Sequence, residues 1–264
     1  MPIHLLGLPW DADSSYERGA ALAPPRIRAA LANDSTNTWN EDGVEVGPLL
    51  VDAGDLSLPE GEDPRERITR GVAALLAAGQ TPLLLGGDHS VTWPIVRALG
   101  ERYPALSILH FDAHSDLYDE LDGSRTSHAC PFARILEEGL AQRLMQIGIR
   151  TLNGHQRDQA RRFGVEIVPM RHGFEAMRAA ILSLSGPLYL SVDLDVLDPA
   201  FAPGISHPEP GGLSSRELLT LIQAIPAGLL VGADVVELNP NNDLRDLTAR
   251  VAAKVVKEIV GRIF

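Results

Sequence analysis

Leu106-Ser-Ile-Leu-His-Phe111 is a short, mostly apolar run, and Asp112-Ala-His-Ser-Asp116 follows it without a break. Runs of this length and composition are typical of strands that are covered on both faces of a parallel sheet. Ligands of open α/β sheets bind beyond the carboxyl ends of the strands. This stretch therefore predicts a parallel α/β fold with polar side chains gathered at one edge of the sheet.

The rest of the chain repeats the pattern of a short apolar run followed by an amphipathic segment. The alternation predicts a three-layer α/β/α fold with a mainly parallel sheet of about eight strands, formed by a single domain over residues 1–264. Two polar segments without periodicity, 33–48 and 117–127, are predicted to be surface loops, the second a wall of a site. The predicted strands are Ile3–Leu8, Leu49–Asp52, Pro82–Leu85, Leu106–Phe111, Leu144–Ile149, Glu166–Val168, Leu188–Asp193 and Leu229–Val236. The predicted helices are Pro64–Ala78, Val91–Glu101, Gly154–Phe163, Phe174–Leu184, Ser215–Ala224 and Leu247–Ile263.

Charge and composition limit the classes of partner. Hydrophobic residues make up 45% of the 264 residues, which is ordinary for a globular protein. The formal net charge of −12 disfavours nucleic acid, whose binding needs basic patches, and suits a cationic small molecule. Cys130 is the only cysteine, which excludes an internal disulfide. We find no basic leader and no run of 18 apolar residues, so we expect no signal peptide, no contact with a membrane and a cytoplasmic (cytosolic) location.

Four predicted strands end in side chains that bind metal ions in many proteins. Side chains two apart on an extended chain point the same way, so the two acids and the histidine of 112–116 can converge, as can Asp193 and Asp195. Four carboxylates this close repel one another unless cations lie among them, and two divalent ions balance their charge. Oxygen-rich ligation favours Mn²⁺ over Zn²⁺. The candidate metal ligands are His89, Asp112, His114, Asp116, Asp193 and Asp195.

Other polar residues near these motifs have simpler interpretations. Asp198 precedes a proline and is predicted to be a turn residue. Asp88 is predicted to bond loop amides or to orient the neighbouring histidine. The remaining histidines have no comparable context and are predicted to be structural; they are His4, His110, His155 and His172.

The motifs resemble the signatures of the ureohydrolase family, which comprises arginases, agmatinases and their relatives. They are Gly-Gly-Asp-His-Ser at 86–90, Asp-Ala-His-Ser-Asp at 112–116 and Ser-Val-Asp-Leu-Asp-Val-Leu-Asp-Pro at 191–199. The resemblance runs from about Leu6 to the C-terminus. It implies the arginase-like fold, two Mn²⁺ per subunit and a homo-oligomer, either a trimer or a hexamer. By this resemblance one ion would be held by His89, Asp112, Asp116 and Asp193, and the other by Asp112, His114, Asp193 and Asp195.

The resemblance also implies roles in the hydrolysis of a guanidinium group. The guanidinium carbon is a poor electrophile, and two closely spaced divalent cations lower the pKa of a bound water towards neutrality. No serine or cysteine triad signature is present, which is consistent with this chemistry. Asp116 would accept a proton, His128 would exchange protons with solvent, and Glu237 would bind the guanidinium.

The substrate is predicted from motifs that resemble plant-type arginases. Pro-Glu-Pro-Gly-Gly at 208–212 resembles both agmatinases and these arginases, whereas many agmatinases have Gly-Thr where this chain has Ser206-His207. We expect L-arginine, converted to L-ornithine and urea; the alternatives are agmatine, giving putrescine and urea, or another guanidino acid. Arg125 and Asn153 are candidates for contacting the α-carboxylate that agmatine lacks. The segments that resemble plant-type arginases are 34–38, 116–119, 127–129, 132–135 and 251–256.

Two further classes stay open at this point. One is a formimino or amide hydrolase on the same scaffold, although His89 and Asp195 are both intact, which argues against a mononuclear zinc deacetylase. The other is an inactive relative that serves as a binding or regulatory subunit. That class is disfavoured because no predicted ligand is missing from the sequence.

Overall fold

The computed structural model describes residues 2–263. Its centre is an eight-stranded sheet with the order β2-β1-β3-β8-β7-β4-β5-β6, and every pair of neighbouring strands is parallel. All eight predicted strands are present, which confirms the predicted fold class. The strands are β1 (Ile3–Gly7), β2 (Leu50–Asp55), β3 (Thr81–Leu85), β4 (Ser107–Phe111), β5 (Arg143–Ile147), β6 (Glu166–Val168), β7 (Leu188–Asp193) and β8 (Leu230–Val236).

Eight α-helices flank the sheet within residues 2–263, and two of them were not predicted. Both of these, α1 and α4, have proline in the first turn, a residue that suggests a break in a sequence but is well tolerated at the start of a helix. No helix within residues 2–263 is long and apolar enough to cross a bilayer. The helices are α1 (Ala23–Leu31), α2 (Pro64–Ala77), α3 (Thr92–Arg102), α4 (Pro131–Glu137), α5 (Gly154–Phe163), α6 (Phe174–Leu182), α7 (Ser215–Gln223) and α8 (Leu247–Ile263).

The sheet separates two hydrophobic cores, as alternating side chains on each strand require. On β3, Leu83 and Leu85 pack into the core beneath α1, α6, α7 and α8. Leu84 points the other way, into the core beneath α2, α3, α4 and α5. Because both faces are covered, the open carboxyl edge of the central strands is the place where polar side chains can gather.

Gly87 lets three strand ends meet at this edge. Its N–H donates to the Leu8 carbonyl at 3.1 Å, and its own carbonyl accepts from the Glu237 N–H at 2.9 Å. A Cβ atom at this position would lie 1.7 Å from the Trp10 carbonyl oxygen, so any larger residue would push the strands apart. The glycine thereby brings the residue after β8 next to His89.

The predicted loop 33–48 is fastened to α7 and α8 through Glu41. The Arg216 guanidinium donates two hydrogen bonds to this carboxylate, at 2.6 and 2.8 Å, and the Lys254 ammonium lies 3.3 Å from it. The pairing with Arg216, more than any other contact, lowers the pKa of Glu41 from 4.5 to about 2. The loop is therefore held by an ion pair that depends on pH.

We expect Glu41→Gln to lower the free energy of unfolding by less than about 1 kcal/mol at neutral pH, since the carboxylate is a third exposed and screened by solvent. A lowered folded pKa stabilises the protein fully above pH 4.5, and this contribution is lost as the pH falls towards 2. Urea unfolding of both proteins across this range should show the difference shrinking with acid. Glu60→Gln, in an exposed turn, is the control, and a difference that does not change with pH would contradict the assignment.

Candidate metal centre

Three carboxylates surround one ring nitrogen of His89. Its Nδ1 atom lies 3.2 Å from Asp112, 3.0 Å from Asp116 and 3.1 Å from Asp193. The imidazole is fully buried, and the carboxylates are buried or nearly so. These four side chains come from the ends of β3, β4 and β7, which are near neighbours in the sheet. The structure thus brings together the four residues of one predicted ligand set.

The other ring nitrogen of His89 is fixed by a chain of hydrogen bonds. The Ser191 hydroxyl lies 2.7 Å from the buried carboxylate of Asp234, to which Tyr189 and Thr92 also donate. With its hydrogen used on Asp234, Ser191 accepts a hydrogen bond from His89 Nε2 at 2.9 Å. In a neutral imidazole the second nitrogen, Nδ1, therefore carries a lone pair.

A divalent cation fits this arrangement. A lone pair on His89 Nδ1 that faces three carboxylate oxygens is repulsive without positive charge between them, and Nδ1 has no hydrogen-bond partner among the described residues. Burial opposes an imidazolium at His89, but the contacts with Asp112, Asp116 and Asp193 outweigh burial and raise its pKa well above the ordinary value. One proton cannot serve three acceptors, whereas a cation can bind all four donors.

A second group of donors adjoins the first and shares Asp112. The Nδ1 atom of His114 lies 2.8 Å from Asp195 and 3.4 Å from Asp112. One Asp112 oxygen faces His114 and the other faces His89, so this carboxylate lies between the two groups. Asp193 is joined to the second group through its other oxygen, which accepts the Asp195 N–H at 2.8 Å. The geometry is consistent with two adjacent cation sites.

The protonation of the acids reflects their crowding. Burial, followed by repulsion from Asp195 and Asp112, raises the pKa of Asp193 well above its ordinary value. Burial and Asp112 likewise raise the pKa of Asp195 to about 6. Bound cations would remove this repulsion and restore the ionised form that metal ligation requires.

A cavity of about 200 Å³ opens onto both groups of donors. Tyr118 and Leu121 of the predicted loop 117–127 line it, together with His128, His207 and Glu237. An apolar and aromatic wall opposite a set of carboxylates suits a small cationic molecule with an aliphatic part.

His128 and Glu237 form a buried ion pair in this cavity. The Nδ1 atom of His128 lies 2.8 Å from one Glu237 carboxylate oxygen, Oε1, and its Nε2 atom lies 2.9 Å from the Ser15 hydroxyl. Burial lowers the pKa of His128, but the Glu237 carboxylate outweighs burial and raises it to about 9. The imidazole is therefore charged at neutral pH, and its Nδ1–H donates a hydrogen bond to the carboxylate.

Glu237 is held in an unusual backbone conformation. Its φ angle of 66° lies in the left-handed region, which costs roughly 1–3 kcal/mol for a residue other than glycine. Its Oε1 atom accepts the His89 N–H at 2.9 Å as well as facing His128. No donor within residues 2–263 bonds its other oxygen, Oε2. The strained backbone thus presents one free carboxylate oxygen beside the metal donors.

The structure does not bring Arg125 to the cavity. Its guanidinium donates to Asp119 at 2.5 Å and to Glu137 at 2.8 Å, and it is absent from the residues that line the cavity. Asn153 caps helix α5 by accepting the Gln156 N–H, and its amide donates to the Tyr118 hydroxyl. It therefore borders the site only through a neighbouring side chain.

Two predictions of structural roles are confirmed. The Asp88 carboxylate accepts the N–H groups of Asp13 and Ser90 at 3.0 and 3.1 Å. Asp198 accepts the N–H groups of Ala200 and Gly211 at 3.0 and 2.7 Å, which closes the turn after β7. Both residues shape the loops around the site.

Sequence reasoning missed two histidines at the site. His110, predicted to be structural only, has its Nε2 atom 2.8 Å from the Asp112 carboxylate. Same-side spacing on β4, which was used for Asp112 onward, would have found it two residues earlier. His207 lines the cavity, with its ring centroid 4.7 Å from that of His128. No spacing rule indicates His207, because it lies on an irregular loop far along the chain.

A parallel α/β fold whose carboxyl edge gathers imidazoles and carboxylates around a cavity indicates a metal-dependent enzyme. The family model described as Arginase family matches residues 1–261. Over 98% of its length the chain is 45% identical to "Arginase 1, mitochondrial" from Arabidopsis thaliana, covering 80% of that protein. It is 36% identical to an agmatinase from Bacillus anthracis, with 97% of this chain and 90% of that protein covered. The solved arginase from Medicago truncatula shares a TM-score of 0.92 and 41% identity, with 99% and 87% of the two chains covered. The chain belongs to the Arginase family, hydrolases that act on amidine C–N bonds.

The expectation of a cytosolic location is wrong by this comparison. Similar arginases from Arabidopsis thaliana and rice are named mitochondrial, and one is named chloroplastic/mitochondrial. These names place those relatives in organelles. Composition could not reveal this, because a folded hydrolase domain has a similar core in either compartment.

Proposed function

We propose that the protein is an arginase that hydrolyses L-arginine to L-ornithine and urea with two Mn²⁺ per subunit. The observation that carries the proposal is the free oxygen of Glu237 in the same cavity as the two groups of metal donors. A guanidinium bound there would lie with its carbon beside those donors. The similarity to plant arginases supports L-arginine as the substrate.

Binding of the guanidinium starts at Glu237. The free Oε2 atom accepts one N–H, and Oε1 becomes available for a second when His128 turns away, which gives a two-point contact. The carboxylate is buried, so its pairing with a planar cation is stronger than it would be in water. This contact orients the substrate.

Proton transfer falls to Asp116 and His128. When bound, the paired cations supply a water of lowered pKa. Asp116 lies at the mouth of the first donor group, within the cavity lining, and would accept that proton. His128 holds a proton while it faces Glu237 and, once turned away, would donate that proton to the departing amine. No serine or cysteine nucleophile is needed.

The choice of Mn²⁺ rests on the donor set. Four carboxylates and two imidazoles without a thiolate form an oxygen-rich site. Elemental analysis of the purified protein would identify the ions it carries. The resemblance to the family also supports a homo-oligomer, either a trimer or a hexamer.

Substrate preference is tested by steady-state kinetics with Mn²⁺ on L-arginine, agmatine, guanidinobutyrate and guanidine. We expect the highest kcat/KM for L-arginine, with urea and ornithine released in equal amounts. A preference for agmatine of more than tenfold would overturn the arginine assignment in favour of an agmatinase, a class also present among the similar proteins. Release of formamide or acetate in place of urea would exclude the whole proposal.

Selection of arginine over agmatine would depend on the residues that contact the far end of the substrate. We propose no substrate contact for Arg125, because its guanidinium already pairs with two acids. Gln156, Thr151 and His207 line the cavity and offer hydrogen-bonding groups to the far end of the substrate. Asn153 would act by holding Tyr118 in place.

A further inference from the structure

His110 is buried on β4 with one hydrogen-bonding partner at each ring nitrogen. Its Nε2 atom lies 2.8 Å from Oδ2 of Asp112, the carboxylate that lies between the two donor groups. Its Nδ1 atom lies 3.0 Å from Nε2 of Gln146, on the neighbouring strand β5. Neither His110 nor Gln146 lines the cavity, so neither can touch the substrate.

The direction of these hydrogen bonds is fixed by a backbone group. Nε2 of Gln146 also lies 2.6 Å from the Ser115 carbonyl oxygen, which can only accept. Exchanging the amide oxygen and nitrogen of Gln146 would place two oxygens in contact at that distance, so the amide has one orientation. Its second hydrogen then points to His110 Nδ1, which must accept.

The tautomer of His110 follows from this orientation. With Nδ1 accepting, the ring hydrogen of a neutral imidazole is on Nε2 and is donated to Asp112. The ring cannot tilt freely, because Phe132 packs against it with centroids 4.1 Å apart. Asp112 therefore accepts a hydrogen bond from His110. The direction of that bond is fixed by the Ser115 carbonyl, which acts through the Gln146 amide.

We propose that Gln146 and His110 are positioning residues that hold the Asp112 carboxylate in the orientation that serves both groups of metal donors. The proposal rests on the metal centre proposed above. The His114 N–H donates to Oδ1 of Asp112 at 2.5 Å, so without the donor at His110 the other oxygen, Oδ2, would have no hydrogen bond to hold it beside the first donor group. Partners of this kind affect metal affinity by roughly 10- to 100-fold.

The test compares Mn²⁺ affinity with the stability of the metal-free protein. His110→Phe keeps a ring against Phe132 but removes the donor, and His110→Gln restores an amide donor near the position of Nε2. His4→Phe is the matched control, since His4 also lies on a strand but away from the site. Calorimetric titration of the chelator-treated proteins with Mn²⁺ alone gives the affinities, and urea unfolding in chelator gives the stabilities.

We expect His110→Phe to weaken Mn²⁺ binding by roughly 10- to 100-fold while its metal-free unfolding midpoint does not fall. His110→Gln should recover most of the affinity, and His4→Phe should bind as the unaltered protein does. Unchanged affinity in His110→Phe would overturn the proposal. A loss of Mn²⁺ affinity in His110→Phe would also overturn the proposal if the metal-free protein were destabilised to a matching extent. The same holds if His110→Gln fails to recover the lost affinity.

Gln146→Met provides a second arm if His110→Phe does not fold. Methionine has a similar shape but cannot donate, which frees the His110 tautomer; we expect a loss of Mn²⁺ affinity of about tenfold. Unchanged affinity in that variant would also overturn the proposal. The proposed function is tested separately, on the unaltered protein. It is wrong if that protein binds no Mn²⁺ or releases no urea. If the unaltered protein binds Mn²⁺ and releases urea, the variants test only the roles of His110 and Gln146.

Discussion

Asp193→Asn is expected to lower kcat for L-arginine by roughly a thousandfold, because losing one metal ligand removes several kcal/mol of stabilisation from the transition state. Asp193 lies 3.1 Å from His89 Nδ1 and adjoins Asp195, so its carboxylate borders both donor groups. A neutral amide binds a divalent cation more weakly than the negatively charged carboxylate that it replaces. We expect the variant to bind fewer Mn²⁺ by elemental analysis after gel filtration.

The fold should survive this change. The amide oxygen of asparagine can still accept the Asp195 N–H, and its neutral side chain relieves repulsion among buried acids. In chelator, the variant should therefore unfold at the same urea concentration as the unaltered protein or at a higher one. Asp34→Asn, on the exposed surface loop, should change neither activity nor metal content. Full turnover by Asp193→Asn, or by the unaltered protein after exhaustive chelation, would refute the metal centre.

Glu237→Gln is expected to lower kcat/KM for L-arginine by roughly a hundredfold, through removal of a buried charge that pairs with the guanidinium. Glutamine keeps the length of the side chain and an oxygen to accept the His89 N–H. Mn²⁺ content should stay unchanged, since Glu237 is not among the proposed ligands. Loss of activity with full metal content distinguishes this variant from Asp193→Asn.

Steady-state kinetics and elemental analysis on the same preparations check this expectation. Glu60→Gln makes the same chemical change in an exposed turn and serves as the control. If Glu237→Gln keeps kcat/KM within threefold of the unaltered protein, the carboxylate does not bind the guanidinium. Another cavity acid would then have to take that role.

The sequence predicted which residues meet at the centre, although one reason was incomplete. Asp112, His114 and Asp116 were expected to converge by lying on one side of an extended chain. In the structure β4 ends at Phe111, and Asp116 adopts a left-handed φ of 48° in the following turn. Convergence therefore comes from a tight turn at the strand end as well as from strand spacing, and turn conformations of this kind carry no periodic signal.

Contacts between distant segments could not be predicted. His128 and Glu237 are 109 positions apart, and their ion pair depends on how two loops fold over the sheet edge. Arg125 is adjacent to the site in sequence but is drawn away by Asp119 and Glu137. Such choices between competing partners depend on the packed structure, whereas strand patterns depend on local sequence.

The sheet order has a consequence for how new specificities arise in this fold. The proposed ligands lie at or just beyond the ends of β3, β4 and β7, and Glu237 follows β8; these four strands are adjacent in the middle of the sheet. The groups that would meet the far end of a substrate instead lie outside the strands, Thr151 and His207 on loops and Gln156 in the first turn of α5. Substitutions in the segments around the cavity opening can therefore change the substrate while the metal ligands and Glu237 stay the same. A new guanidino substrate would then require no change in the hydrophobic core.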